Sequence, residues 1–305
     1  MVVAMPHCGA AADSTSGGEV MERELLARWP AHGLEPHVLS PRWPGLRWWN
    51  SPLWFRAALR QCILAHQPGW IRAHSLRYTG LAALAAGRRA HLPVWVHFHH
   101  LEKDSLSWLD TWVLRRASVV TTDSEFSSHQ ARQRGVTAQP IPLGVDHARF
   151  VPTPRPSEPI VLLIGGDKPR KNTAFVRALW PRVVARVPTA RLIEVGRGRA
   201  VSDQAMVALY QAARVVAFPS LLEGFGLPVL EAMVSGRPIV CSNRGALPEL
   251  GASSTVALEP ALWIDWLVAY LTDDRRWQQA AVSNRVRSLA YSWDQTAAEM
   301  VACLG

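Results

Sequence analysis

Residues 214–232 read RVVAFPSLLEGFGLPVLEA: a short apolar run, a glycine-punctuated loop and the start of a helical pattern. The apolar run at 214–219 predicts a buried strand. Pro228 suits the first turn of a helix, because its fixed φ fits there and its missing N–H is not needed. Gly236 is a suitable end for that helix. The stretch therefore predicts a strand–loop–helix unit, the repeating element of a parallel α/β sheet.

The stretch carries two acids that stand eight residues apart, with Glu223 in the predicted loop and Glu231 near the start of the predicted helix. Gly224 and Gly226 allow a close approach of backbone to a ligand, and free amides at a helix N-terminus favour a phosphate group. Carboxylates beside a bound phosphate are suited to accept hydrogen bonds from hydroxyls. A ligand with hydroxyls at both ends and a diphosphate between them is a nucleotide sugar. The alternative is a loop whose acids only cap the helix. The amides in question belong to Phe225, Gly226 and Leu227.

Outward from this stretch, short β-rich runs alternate with helical patterns on both sides of a proline-rich seam, PTPRPSEP, at 152–159. Alternating βα units predict parallel sheets covered on both faces, with ligands at the carboxyl ends of the strands. The sequence therefore predicts two Rossmann-like domains that face each other across a cleft. The predicted strands are 2–5, 36–40, 70–74, 93–98, 118–122, 160–165, 190–196, 214–219 and 237–242. The predicted helices include 18–29, 52–65, 124–134, 172–187, 202–213 and 228–235.

Composition narrows the class of protein. The 305-residue chain has a formal charge of +9 and four cysteines without paired spacing, which predicts a reduced cytosolic protein with no zinc ribbon. It shows no signal-peptide pattern and no apolar run long enough to span a bilayer. From Pro36 to Leu101 there is no acid, but there are eight arginines and six tryptophans. Such a surface suits a phosphate-bearing partner: a nucleotide, a nucleic acid or an anionic lipid.

The segment PSLLEGFGLPVLEAMVSGRPIVCSN at 219–243 resembles the signature of the retaining family-4 glycosyltransferases, which have the GT-B fold. GGEVMERELLARWPAHGLEPHVLS, PVWVHFHHLE, LLIGGDKPRKN and YSWDQTAAEM are similar to further segments of that family. The resemblance implies an N-terminal acceptor-side domain, a nucleotide-sugar domain and a final helix that crosses back to the first domain. The corresponding ranges are 1–151, 152–290 and 291–305.

The resemblance also implies roles for residues. Glu231 would bind the ribose hydroxyls, Glu223 the hydroxyls of the donor hexose, and the amides of the glycine loop the distal phosphate. Arg170 and Lys171 would carry the charge of the diphosphate as it leaves, although they also fit a solvated loop. Many relatives have an arginine six residues before this lysine, where this chain has Gly165. The loop expected to face the base contains Gly196 and Arg197.

HFHH at 97–100 ends a predicted strand. The resemblance places His99 against the donor sugar or its phosphates, opposite a glycine loop formed by Gly17 and Gly18. A polar strand end without function is the alternative. We expect no metal here, because two further ligands are not near in sequence, and the chain has no Asp-x-Asp motif. The predicted catalytic residues are Glu223, His99 and Lys171.

The implied reaction transfers a hexose from a GDP- or UDP-hexose, with retention of configuration and without a cofactor. The implied acceptor is a sugar or a lipid-linked sugar, in bacterial polysaccharide or glycolipid assembly. The same resemblance implies a cytoplasmic location that includes the inner face of the plasma membrane. The alternatives are an inactive GT-B scaffold, a GT-B epimerase or phosphorylase, and a basic nucleic-acid-binding protein. The last lacks a nucleic-acid-binding motif and leaves the two glutamates unexplained, so we expect no nucleic-acid partner.

The stretch RWPGLRWWNSPLWFR at 42–56 carries four tryptophans and three arginines. Indole rings beside arginine suit an anionic membrane interface. They suit an acceptor sugar or a packed domain core equally well.

Overall fold

The computed structural model describes residues 2–4, 17–39, 52–74, 76–101, 107–166, 168–196 and 201–305. The chain forms two units. The first contains residues 1–144 together with 293–305, and the second contains residues 145–292. Both units are parallel α/β sheets with helices between the strands. The fold class predicted from the alternating pattern is confirmed.

The first unit has a six-stranded parallel sheet with the order β2-β1-β3-β4-β5-β6. Trp95 on a central strand of this sheet is fully buried, and all five residues of its strand are buried. The strands are β1 Val2–Ala4, β2 Pro36–Val38, β3 Trp70–Ala73, β4 Val94–Phe98, β5 Val119–Thr122 and β6 Gln139–Pro140. The helices are α1 Gly17–Arg28, α2 Pro52–His66, α3 Leu81–Ala90, α4 Ser107–Leu114 and α5 Glu125–Arg132.

The second unit has a five-stranded parallel sheet with the order β11-β10-β9-β7-β8. Its strands are β7 Ile160–Ile164, β8 Arg191–Val195, β9 Val215–Phe218, β10 Ile239–Ser242 and β11 Ser254–Val256. Its helices are α6 Thr173–Arg186, α7 Asp203–Ala212, α8 Leu227–Val234, α9 Pro260–Thr272 and α10 Asp274–Ser288. The last helix, α11 Trp293–Ala302, packs against α1 and belongs to the first unit.

Local sequence signals explain where several helices begin. The side chains of Ser124, Ser202 and Asp273 each accept a hydrogen bond from the backbone N–H three residues further on. These N-caps satisfy amides that have no partner inside the helix. The central strands are buried along their whole length because helices cover both faces of each sheet, which explains why they read as continuous apolar runs.

The proline-rich segment at 152–159 lies in the second unit and is held there by two arginines. Arg214 donates hydrogen bonds to the carbonyl groups of Pro156 and Ser157, and Arg237 donates to those of Thr153 and Pro154. Both arginines are more than nine-tenths buried. Their guanidinium groups thus satisfy carbonyls that the proline-rich backbone cannot pair in a sheet.

Candidate functional site

The loop that carries Glu223 follows β9 and is held on both sides by the loops that follow β7 and β10. Leu221 N donates to Arg170 O at 2.7 Å, and Ala246 N donates to Glu223 O at 3.0 Å. Gly245 packs on the Glu223 backbone so closely that a Cβ there would lie 2.5 Å from Glu223 O. The carboxyl ends of three neighbouring strands therefore position this glutamate, as expected for a ligand site in a parallel sheet.

Glu223 forms an ion-pair cluster with the two basic residues that the sequence singled out. Lys171 Nζ lies 2.7 Å from Glu223 Oε1, and Arg170 Nη1 lies 3.4 Å from Oε2. Glu223 is buried, the Lys171 side chain is 13% exposed and that of Arg170 is 39% exposed. Burial lowers the pKa of Lys171, and the charge of Glu223 opposes this shift. The cluster places two cations and one carboxylate at the carboxyl ends of the neighbouring strands β7 and β9.

The glycine loop leads directly into α8. Gly226 is the N-cap residue with φ +109°, no side chain caps the helix, and Pro228 lies in its first turn. A Cβ on Gly226 would lie 2.6 Å from Leu247 Cδ2, so only glycine fits this position. Phe225 is buried against Tyr291, with ring centroids 5.9 Å apart. The start of α8 can therefore offer amides to an anion. Of the residues predicted for this site, Gly224, Phe225 and Gly226 lie in the loop, and Leu227 is the first residue of α8.

Glu231 lies on α8 and has a different partner. The Tyr210 hydroxyl donates a hydrogen bond of 2.8 Å to Glu231 Oε2. Burial raises the pKa of Glu231 to about 7, while the Tyr210 hydrogen bond and the charge of Arg149 oppose the rise. The two glutamates of the motif therefore differ in electrostatics: Glu223 is paired with cations, and Glu231 is paired with a neutral hydroxyl.

Gly165 and Gly196 lie at the ends of the adjacent strands β7 and β8. Gly165 has φ +151°, and a Cβ there would lie 2.6 Å from Lys171 Cβ. Any side chain at position 165 would thus displace Lys171, which gives a steric reason for the absence of the family's arginine. Gly196 packs against Gly166, where a Cβ would lie 1.9 Å from Gly196 O. Arg197 lies outside the described residues.

The first unit contains a second polar cluster, built around His99. Its Nδ1 contacts Asp123 Oδ2 at short range, and its Nε2 lies 3.0 Å from His74 Nε2. Gly18, the second residue of α1, lies beside both rings, because a Cβ there would be 3.0 Å from His99 Nε2 and 3.1 Å from His74 Nε2. Gly17 begins the same helix. The structure therefore brings the predicted residues together in two groups, one in each unit.

Sequence reasoning did not select Asp123, His74 or Glu22, which complete this cluster. His74 Nδ1 lies 2.5 Å from Glu22 Oε1. Asp123 follows β5 directly, and that position was an available signal, because polar residues at the carboxyl ends of strands gather at one sheet edge. Glu22 lies on the buried face of α1, where its sequence position shows no chemical signal.

A third possible metal ligand lies beside His97 and His99, although the sequence predicts none nearby. This ligand is Asp123, and the ligand atoms of the three residues are within 4.8 Å of one another. In the structure, His97 Nε2 is 2.9 Å from Asp123 Oδ1. Such contacts are hydrogen-bonding distances between a carboxylate and ring N–H groups. The Trp-rich residues 40–51 lie outside the described residues, so their role stays a prediction.

Comparisons with known proteins agree with this architecture. A family model described as Glycosyltransferase Family 4 matches residues 15–149, and one described as Glycosyl transferases group 1 matches residues 158–272. MMP alpha-(1->4)-mannosyltransferase of Mycolicibacterium hassiacum is 33% identical over 215 residues, which cover 61% of this chain and 51% of that protein. O-antigen chain mannosyltransferase B of Escherichia coli is 34% identical over 105 residues, 33% of this chain and 27% of its own.

Solved structures extend the likeness over the whole chain at the level of the fold. Sucrose-phosphate synthase from Thermosynechococcus elongatus has a TM-score of 0.79 at 16% identity and covers 99% of this chain and 98% of its own. Anabaena HepE, solved in complex with UDP and glucose, has a TM-score of 0.75 at 16% identity, with the same coverage. The matched part spans about half or less of the curated relatives named above. Two consecutive family models and the shared architecture identify this chain as a member of glycosyltransferase family 4 with the GT-B fold.

Proposed function

We propose that this protein is a retaining glycosyltransferase that moves a hexose from a GDP- or UDP-hexose to an acceptor hydroxyl without a metal. The observation that carries the proposal is the Glu223–Lys171 ion pair of 2.7 Å, which joins the loop after β7 to the loop that leads from β9 to the start of α8. These two neighbouring loops offer cations and helix-terminal amides, which suit a diphosphate, and a carboxylate that can accept hydrogen bonds from sugar hydroxyls.

In this proposal the bound diphosphate replaces Glu223 as the partner of Lys171 and Arg170. Lys171 and Arg170 stabilise the negative charge that develops when the sugar–phosphate bond breaks, and amides at the start of α8 bind phosphate oxygens. Glu223 then accepts hydrogen bonds from hexose hydroxyls. No side chain is assigned as a covalent nucleophile, so the acceptor hydroxyl attacks from the face that the phosphate leaves. The departing phosphate oxygen receives the acceptor proton, which balances the step.

Glu231 is proposed to bind the ribose. Tyr210 occupies Oε2 of this carboxyl through its 2.8 Å hydrogen bond, which leaves Oε1 for a ligand hydroxyl. A neutral hydroxyl partner fixes the carboxyl in place without competing for the ligand with a full charge. The predicted contact of His99 with the donor stays a prediction.

The donor and pathway are inferred from the relatives' names. Two relatives are named as mannosyltransferases, and one of them as an O-antigen enzyme, which favours a mannose donor and polysaccharide or glycolipid assembly. One similar structure contains UDP and glucose. The donors to test first are therefore the GDP and UDP forms of mannose and glucose.

A thermal-shift panel of these nucleotide sugars tests the proposal. A donor at about 100 times its Kd stabilises the folded state by about 2.7 kcal/mol. With an unfolding entropy of about 2.1 cal/mol/K per residue, this raises Tm by about 4 °C if all 305 residues unfold together. Glu223→Ala and Lys171→Ala are expected to lose most of this shift. If no nucleotide sugar raises the Tm of the wild type, the proposal is wrong. A shift without transfer to any acceptor would indicate an inactive scaffold instead.

We also propose peripheral contact with an anionic membrane, through one face of α4. Trp108 is 63% exposed and Trp112 is 38% exposed, one helical turn apart. Arg115 and Arg116 follow the end of the helix and are exposed, and the Arg116 guanidinium lies 4.1 Å from the Trp112 ring centroid. We call these four residues the tryptophan face. Indoles flanked by arginines fit a headgroup region with anionic lipids.

The acid of this helix is turned away from the tryptophan face. Asp110 is buried and accepts two hydrogen bonds from Arg77, at 2.8 and 2.7 Å. Among the described residues, no helix combines the length and apolarity that a bilayer crossing requires. Membrane contact would therefore come from surfaces such as this face.

Replacing Trp108 and Trp112 by alanine is expected to reduce binding to vesicles containing phosphatidylglycerol by about tenfold or more. Each indole that leaves water for the interface contributes on the order of 1 kcal/mol. Co-sedimentation measures the bound fraction. The control is Val282→Ala with Val286→Ala, on an exposed part of α10. Equal binding of the tryptophan variant and the wild type would contradict the assignment.

A further inference from the structure

Three histidines lie close together in the first unit, and their ring nitrogens face two carboxylates. His74 follows β3, His97 lies in β4 and His99 follows β4. Asp123 contacts His97 and His99, whereas Glu22 contacts His74. Each contact at hydrogen-bonding distance needs one proton between its two atoms, so the protons of this cluster can be counted.

Both ring contacts of His97 can be hydrogen bonds when the imidazole is neutral and carries a single proton. Trp95 Nε1 donates to Thr121 Oγ1 at 2.7 Å, so the Thr121 hydroxyl is free to donate to His97 Nδ1 at 2.9 Å. His97 Nε2 then donates to Asp123 Oδ1 at 2.9 Å. This is the neutral imidazole with its proton on Nε2. Burial also lowers the pKa of His97, in agreement with the neutral form.

The other two histidines lie in a chain with one proton too few. The order is Asp123, His99, His74 and Glu22, and three contacts join them. Ionised carboxylates supply no proton, and two neutral imidazoles supply two. With only two protons, one contact would bring two lone pairs together, such as the Nε2 atoms of the two rings at 3.0 Å. Three hydrogen bonds require one extra proton, whichever tautomers are chosen.

The charge balance of the buried cluster also requires one extra proton. Arg72 lies 2.5 Å from Glu22 Oε1, and its guanidinium lies over the rings of Trp29 and Trp95, at 5.0 and 4.7 Å from their centroids. Arg72, Glu22 and Asp123 are buried, so one cation faces two anions. Among the described charged groups of the cluster, one added proton brings the sum to zero. A buried cluster with net charge would be strongly disfavoured.

The environment of each ring indicates which one holds the proton. Burial alone would lower the pKa of His99, but the charge and hydrogen bond of Asp123 outweigh it and raise that pKa, with a smaller contribution from Glu22 and an opposing one from Arg72. Burial lowers the pKa of His74 to about 3, despite Glu22. The His99 side chain is 28% exposed and that of His74 is fully buried.

We propose that His99 is an imidazolium at neutral pH, held between Asp123 and His74, and that these two are positioning residues which keep it cationic beside Gly18. His74 accepts a hydrogen bond from the Nε2–H of His99, and Asp123 accepts one from its Nδ1–H. A cation is thereby fixed near the start of α1, where it suits an anionic group of a substrate. Its consequence for transfer rests on the proposed function; the protonation state itself does not.

Long-range ¹H–¹⁵N NMR of the histidine rings in the free protein tests the protonation state at pH 7. The expected result is two protonated nitrogens in His99, and one unprotonated Nε2 in His74. His97 is expected to be neutral with its proton on Nε2, and serves as an internal comparison. The inference is overturned if His99 and His74 each show one unprotonated nitrogen.

Two variants test the positioning roles. Asp123→Asn removes the anionic acceptor and is expected to lower the His99 midpoint in an NMR titration by roughly one pH unit or more. His74→Phe removes the other acceptor and shifts the midpoint in the same direction, which keeps the test open if the first variant does not fold. His129→Gln, on the exposed side of α5, is the control. Unchanged midpoints in both variants would overturn the roles.

A pH profile connects the pair to transfer. kcat/KM is expected to fall as pH rises through the His99 midpoint, and Asp123→Asn is expected to move that limb to lower pH. If the pH dependence of kcat/KM shows no transition at the NMR midpoint of His99, the link between this histidine and transfer is overturned. If no donor is turned over while NMR shows the imidazolium, the proposed function fails and the protonation state stands. If transfer occurs with two neutral rings, only the present inference fails.

Discussion

Lys171→Ala is expected to lower kcat/KM for the nucleotide-sugar donor by about 10²–10³-fold, the usual cost of removing one group that stabilises developing charge. Lys171 is less exposed than Arg170, the other cation beside Glu223, and its Nζ lies 4.6 Å from the Phe218 ring centroid. A cation in a site shielded from water acts more strongly on a leaving diphosphate than a solvated one. Steady-state kinetics with the donor found by thermal shift measures the loss.

Glu223→Gln separates the two halves of the same cluster. We expect this variant to retain affinity for the nucleoside diphosphate, because both cations remain, and to lose affinity for the full nucleotide sugar. Lys171→Ala should weaken both ligands. Calorimetry with each ligand gives the comparison. Arg191→Ala, which removes one positive charge from an exposed ion pair with Glu158, is the control for a general charge effect.

Two outcomes would contradict these roles. Turnover by Lys171→Ala within about threefold of wild type, with an unchanged Tm, would show that the lysine does not stabilise the transition state. An equal loss of diphosphate and nucleotide-sugar binding in Glu223→Gln would mean that the carboxylate only orients the loop. The double variant adds a check: residues in one ion pair are expected to show strongly non-additive losses.

Glu231→Gln is expected to weaken donor binding and to stabilise the protein at alkaline pH. A hydrogen bond to a charged acceptor contributes about 1.5–3 kcal/mol, so the donor Kd should rise by about 10–100-fold. The folded-state pKa of Glu231 is about 7, compared with 4.5 for an ordinary glutamate. Glutamine cannot ionise and still accepts a hydrogen bond from Tyr210. The stability gain and the binding loss therefore have one cause.

The direction of the pH effect follows from this raised pKa. Below about pH 4.5 the carboxyl is protonated in both the folded and unfolded chain, so the two proteins should unfold alike. As pH rises toward 7 the unfolded chain releases the proton first, and the wild type loses stability relative to the variant. The difference reaches at most about 3 kcal/mol above pH 7.

Denaturant unfolding at pH 5 and pH 8 measures this difference for the wild type and the variant. Glu194→Gln, at a glutamate paired with Arg177 at 2.8 Å, is the matched control. A variant that is less stable than the wild type at pH 8 would contradict the raised pKa. Unchanged donor affinity in the variant would contradict the proposal that Glu231 binds the ribose.

Much of the fold was predictable because it depends on local patterns. The predicted strand at 160–165 is β7 at Ile160–Ile164, and the predicted helix at 172–187 is α6 at Thr173–Arg186. The helices α9 and α10 were not singled out, although they fill most of the sequence between β11 and α11. The ends of elements shifted by one or two residues, where caps rather than apolar periodicity decide the boundary.

The sequence by itself determined the alternation of strands and helices, the glycine loop between Glu223 and Glu231, and the basic residues Arg170 and Lys171. Those features lie in short segments, where residue type and spacing act directly on the backbone. Only the tertiary structure decided which partner each charge has. Glu22, His74, His99 and Asp123 come from four separate elements, and their contacts depend on strand register and helix docking. Proton counts and pKa shifts arise from those distances and from burial, which no single segment encodes.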